Sequence, residues 1–251
     1  MRILGAVVGG ALLLIGIEVF LAFRRDYFVE GPEEPITGTF GHPSSPSLRF
    51  VVVGDSTSVG VGAQPQESFP WILAKRLAEK FEVELHVVGV SGARITDAAS
   101  DQVPAAIALK PDLVLIEIGA NDATHLTSSK TVRTKMTQML DAFGKAKIPV
   151  VVAGPPDMGT TRAFAEPLRT LSGYSGAKVQ RAIEKIVHPR GIPFVDLAAG
   201  TGPAFDADPN RYYSTDLFHP SAEGYALWAE VIFPTVDESA RTAARGVRPQ
   251  V

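Results

Sequence analysis

Five short apolar runs rich in Val, Ile and Leu recur along the chain, at residues 48–53, 84–88, 113–118, 148–153 and 192–197. Each is followed by a stretch with helical spacing, near 68–81, 97–109, 130–146, 176–188 and 221–233. This alternation constrains the chain more than any other feature. Nearly continuous β-branched runs read as strands buried on both faces, and strands separated by helices read as parallel neighbours joined by right-handed crossovers. The expected fold is α/β, a three-layer α/β/α sandwich around a five-stranded parallel sheet. With 251 residues, 45% of them hydrophobic, the chain can bury a full core without staples. It has no cysteine, which excludes disulfides, thiolate zinc sites, iron–sulfur clusters and a cysteine nucleophile. The formal net charge of −3 offers no basic footprint, so no nucleic-acid partner is expected.

The ends read differently. Residues 3–23 carry one charge, Glu18, between Arg2 and the pair Arg24 and Arg25. Helical, that length would reach about 32 Å, close to a hydrocarbon core of about 30 Å. A cleaved signal peptide, an uncleaved anchor and a buried core helix all fit such a run. Its length and the missing small-residue cleavage pair favour an anchor within an N-terminal segment 1–28. The expectation is a membrane-anchored protein with its folded domain extracytoplasmic; secretion after cleavage is the alternative. Residues 29–47, with Pro32, Pro35, Pro43 and Pro46, read as a linker. The folded domain then spans 48–236, and 237–251, with Arg241, Arg245 and Arg248, reads as a flexible tail.

In open parallel sheets the site lies beyond the carboxyl ends of the strands. There the chain carries Gly54-Asp55-Ser56, then Ser91-Gly92, then Gly119-Ala120-Asn121-Asp122; Asp216-Leu217-Phe218-His219 precedes the last helix. Singly, each reads as an ordinary turn or cap. Together they put a hydroxyl, a small-residue turn, an amide and an Asp/His pair at one sheet edge.

In that combination the chain resembles the SGNH/GDSL hydrolase family over roughly residues 48–235, with four motifs in order. The resemblance implies a flavodoxin-like sheet and an acyl hydrolase. One departure is Gly89, where many members have Asn. The segment from Gly60-Val61-Gly62-Ala63 to Trp71 is similar to the lysophospholipase/thioesterase-like branch.

The chemistry of the triad can be argued from the residues. A serine hydroxyl is a weak nucleophile and needs an adjacent base. His219 is the best candidate, because an imidazole can take and return a proton near neutral pH. Asp216, three residues earlier, can reach the other ring nitrogen and fix the tautomer. The catalytic set expected is therefore Ser56, Asp216 and His219. The resemblance implies an oxyanion hole built from the Ser56 N–H, the Gly92 N–H and the Asn121 side-chain amide. His42, His86, His125 and His188 have no partner motif and read as structural or surface groups, with His125 nearest the expected pocket. Asp122 reads as support for Asn121, and Arg94 as solvent-facing or ion-paired. No cofactor and no metal are expected, since Asp97, Asp101, Asp206 and Asp208 form no cluster with histidine.

The expected activity is a serine esterase or lipase acting on a small acyl ester, thioester or lipid. A membrane-tethered O-acyltransferase, a carbohydrate O-deacetylase on the same fold and a non-catalytic binding module are the alternatives.

Overall fold

The computed structural model describes residues 9–10, 13–17 and 35–245. Its strands are β1 (Thr37–Phe40), β2 (Ser47–Gly54), β3 (Glu82–Val87), β4 (Leu113–Glu117), β5 (Val150–Ala153) and β6 (Phe194–Val195). They form one sheet in the order β1-β3-β2-β4-β5-β6; β1 runs antiparallel to β3 and every other pair is parallel. Without β1 this is the strand order of flavodoxin-like sheets, which places a topological switch point between β2 and β4.

The helices are α1 (Phe69–Leu77), α2 (Val103–Ala108), α3 (Ala120–Thr124), α4 (Ser129–Lys145), α5 (Leu168–Val187), α6 (Leu197–Ala207), α7 (Pro209–Tyr212) and α8 (Ala222–Ala244). A helical turn, Ile95–Asp97, and a wider turn, Ala98–Gln102, lead into α2. Because successive strand residues point to opposite faces, each central strand feeds two cores. Phe50 and Val52 of β2 join Leu113 and Leu115 of β4 under α1 and α8. Val51, Val53, Val114 and Ile116 face the other way, under α2, α4 and α5. The helices answer with apolar stripes at three- and four-residue spacing: Phe69, Leu73 and Leu77 in α1, and Val132, Met136, Met139, Leu140 and Phe143 in α4. Side-chain caps start four of them, at Ser128, Asp196, Asp208 and Ser221. Ser128 Oγ accepts from Thr131 N at 3.1 Å, and Ser221 Oγ accepts from Gly224 N at 3.1 Å.

Three expectations need correction. The sheet has a sixth, antiparallel edge strand, β1, inside the stretch read as a linker. Its anchor is Ile36, buried just before the strand, with Phe40 edge-on to Trp71 at 4.8 Å. The tail is not frayed at 237: α8 continues to Ala244, because Val236 and Ala240 are buried and Asp237 pairs with Lys80 at 2.9 Å and Arg241 at 3.0 Å. Third, the membrane anchor is overturned: among the described residues no helix is long and apolar enough to cross a membrane. In segment 3–23 the described residues are 9–10 and 13–17, all of them helical. The rest of that segment lies outside the described residues.

Removing residues 237–251 therefore strips buried Asp237 and Ala240 from α8. The expected result is a lower urea midpoint, equivalent to a loss of about 1–3 kcal/mol. An unchanged midpoint would restore the reading of a dispensable tail.

Candidate active site

The C-terminal ends of β2, β3 and β4 sit side by side, so the segments that follow them converge. After β2 the chain makes a tight helical turn. Ser58 N donates to Asp55 O at 3.1 Å, and Val61 N to Ser56 O at 3.0 Å. The turn is held from both sides. Gln102, buried in the turn before α2, receives the Gly54 N–H on Oε1 and donates Nε2 to the Gly54 carbonyl, both at 2.9 Å. From α8, the buried Tyr225 hydroxyl donates to Val61 O at 2.6 Å.

His219 stands two residues before the Ser221 cap of α8. Its Nε2 is 2.9 Å from Ser56 Oγ, and its Nδ1 is 2.6 Å from Asp216 Oδ2. All three side chains are buried. The other Asp216 oxygen, Oδ1, accepts from Ser214 Oγ and from the backbone N–H groups of Phe218 and His219, each at 2.8 Å. Burial pushes the Asp216 carboxyl up, but the hydrogen bond and charge of His219, with the two backbone donors, outweigh it and hold the carboxyl below its ordinary value. An ionised Asp216 can only accept. Nδ1 then carries the ring proton, leaving the Nε2 lone pair facing the Ser56 hydroxyl.

This hairpin of chain requires Leu217 at φ +57, a conformation disfavoured for a side-chain-bearing residue. The surroundings pin it there: the Leu217 carbonyl accepts from Thr161 Oγ1 at 2.8 Å and from the N–H groups of Arg162 and Ala163 at 3.1 Å. The 161–163 loop, unreadable as pattern, is thus tied to the Asp216–His219 segment.

Asn121 follows β4 and Gly92 follows β3. The Asn121 amide donates to Ala93 O at 3.1 Å and, at the outer limit of a hydrogen bond, to Asp55 Oδ2 at 3.4 Å. That bond to Ala93 links the Asn121 segment to the Gly92 loop. Asp122 adds a second tie, accepting the Ile95 N–H at 2.8 Å. Gly92 has φ +79 and open space where a Cβ would point. Among the described residues, neither the Ser56 N–H nor the Gly92 N–H donates to a protein acceptor. The departure at Gly89 has a local cause, since a Cβ there would overlap Ser58 Oγ.

The remaining expectations sort out simply. His125 Nδ1 donates to Asn121 O at 2.9 Å, His86 pairs with Glu84 at 2.8 Å, and His42 with Ser44 at 2.7 Å. His188 meets the Phe194 ring edge-on. Arg94 lies 3.9 Å from Asp97. Among the described residues no group of three His, Asp or Glu is placed to hold a metal ion.

Two participants were missed from sequence. Gln102 carried no motif. Glu117 did leave a signal, a lone acid inside the apolar run 113–118. It is fully buried, with Oε2 at 2.5 Å from Thr57 Oγ1, and Thr57 Oγ1 is 2.9 Å from Asp55 Oδ1. A cavity of about 660 Å³ also opens between segment 156–160, α5 and α6, with Asp157, Arg181 and Asp206 in its wall. Neither Ser56 nor His219 lines it, so it is not the space that the Ser56 hydroxyl faces.

Comparison with known proteins places these elements. The model of the GDSL-like Lipase/Acylhydrolase family matches residues 52–227. A GDSL-like esterase of Mycobacterium tuberculosis is 32% identical over 191 residues, 74% of this chain and 60% of that protein. An arylesterase of Vibrio mimicus is 28% identical over 120 residues, 46% of this chain and 60% of that protein. The chain thus spans about 60% of the length of both relatives. Among solved structures, a lipase/acylhydrolase from Enterococcus faecalis superimposes with a TM-score of 0.62 at 23% identity, covering 76% of this chain and 96% of that one.

Two outcomes follow. Gln102→Leu leaves the buried Gly54 N–H unpaired, while the Gly54 carbonyl keeps its bond from Val90 N at 3.2 Å, and is expected to cost about 1–3 kcal/mol in denaturant unfolding. The depressed Asp216 carboxyl makes a stabilisation complete above about pH 4, the unfolded value, and lost as pH falls through its lower folded value. The stability gap between wild type and Asp216→Asn should therefore shrink on acidification below about pH 4; a gap independent of pH would contradict an ionised Asp216.

Proposed function

The chain belongs to the GDSL-like lipase/acylhydrolase family, and on that premise we propose that it is a serine hydrolase of carboxylic esters. The observation that carries the reading is the unbroken line Ser56 Oγ, His219 Nε2, His219 Nδ1, Asp216 Oδ2, at 2.9 and 2.6 Å. Ser56 Oγ attacks the ester carbonyl carbon while His219 Nε2 takes its proton. The carbonyl oxygen becomes an oxyanion, met by the free N–H groups of Ser56 and Gly92. The Asn121 amide joins them by giving up its long bond to Asp55. When the carbon–oxygen bond to the leaving group breaks, the alcohol departs with the proton from His219. Water then attacks the acyl-Ser56 ester, passing its proton through His219 back to Ser56, and the carboxylic acid leaves. Asp216 stays ionised throughout and stabilises the imidazolium.

Full-length protein is expected to hydrolyse p-nitrophenyl butyrate, with Ser56→Ala and His219→Ala each losing about 10³-fold or more. Asn121→Ala should lower kcat by about 10²–10³-fold with little change in KM. Turnover that survives Ser56→Ala would refute the reading.

A further inference from the structure

Glu117 ends the central strand β4 with a carboxyl group that the reaction above does not use. It is fully buried, and its Oε1 meets no donor. Its Oε2 contacts only the Thr57 hydroxyl, at 2.5 Å, and that hydroxyl also contacts Asp55 Oδ1, at 2.9 Å. Thr57 has one hydroxyl hydrogen and two carboxyl neighbours. Ionised carboxylates only accept, so with both ionised one of these contacts would press bare lone pairs together. One proton on the pair removes the conflict.

The surroundings decide which group holds it. Asp55 has further donors, Thr57 N on Oδ1 at 3.0 Å and the Asn121 amide on Oδ2 at 3.4 Å, as a carboxylate requires. Glu117 has none besides the shared hydroxyl. Burial also disfavours charge on Glu117, and the Asp55 carboxyl adds to that effect.

We propose that Glu117 is a positioning residue for the Asn121 amide. As a neutral acid it donates Oε2–H to Thr57 Oγ1, and Thr57 donates to the Asp55 carboxylate. Asp55, held in place and partly neutralised along this chain, orients the Asn121 amide without binding it tightly. The weak 3.4 Å contact is what lets that N–H turn to the oxyanion. Without the donor from Glu117, the Asp55 charge is less compensated and competes for the same N–H. No atom is transferred; one proton stays on Glu117. This inference rests on the hydrolase reading for its kinetic consequence but not for the proton itself.

The test uses the full-length chain and two readouts. Infrared spectra at neutral pH should show the carbonyl stretch of a neutral carboxylic acid that disappears in Glu117→Gln. In ester hydrolysis, Glu117→Leu should lower kcat by about 10- to 100-fold with KM little changed, the scale of a misplaced reacting group. Glu117→Gln keeps a donor toward Thr57 and should restore kcat to within about threefold of wild type. If Glu117→Leu does not fold, Thr57→Val against Thr57→Ser asks the same question, with loss expected only for Val. No band lost in Glu117→Gln, Gln as slow as Leu in folded protein, or Val as fast as Ser would each overturn the proposal. Absence of Ser56-dependent turnover in wild type would instead remove the hydrolase reading, while the infrared band still decides where the proton sits.

Discussion

The hydrogen bond between Ser56 Oγ and His219 Nε2 joins residues 163 apart in sequence, and the site depends on it. It forms only because the sheet brings the end of β2 beside the start of α8. Parallel strands put every carboxyl end at one edge, and α8 packs Tyr225, Trp228 and Ile232 into the core shared with β2 and β4. Aliphatic packing on both faces therefore sets a polar distance of 2.9 Å. The tether from Tyr225 to Val61, buried at 2.6 Å, shows the same link in a single contact.

A cost accompanies this arrangement. Asp55, Glu117 and Asp122 are buried carboxyl groups, and burial pushes each of them up from its ordinary value. Groups of this kind lower stability unless their partners are in place. Here most of them have partners in the loops after β2, β3 and β4, so the polar bonds that offset the cost also fix the relative positions of Ser56, Gly92 and Asn121. Leu217 adds backbone strain to the same region. It is tolerated because three donors grip its carbonyl and its neighbours Asp216 and His219 are locked by their own hydrogen bonds.

Much of this was legible in the sequence, for a physical reason. Strands buried on both faces show as unbroken Val/Ile/Leu runs, so β2 to β6 could be read directly, whereas Ser56, Asn121 and His219 stood out as candidates only when their separate strand-end motifs were taken together. Four residues of edge strand could not: Thr37–Phe40 half-buries a single side chain, Phe40, and sits among prolines. Helix α6 was missed because Gly200, Gly202 and Pro203 are poor helix formers; its start rests on Asp196, which caps the Ala199 N–H at 2.8 Å. The roles of Gln102 and Glu117 are long-range. Gln102 reaches back 48 positions to Gly54, and Glu117 reaches 60 to Thr57, separations that no local pattern encodes.

The central claim is that Ser56 becomes covalently acylated with His219 as its base. The most direct measurement is mass spectrometry of the full-length protein after brief reaction with an activated ester and acid quench, followed by peptide mapping. The account predicts an acyl mass on the peptide containing Ser56, absent in His219→Ala. An adduct on another residue, or turnover of the ester with Ser56 unmodified even at the earliest times, would contradict it.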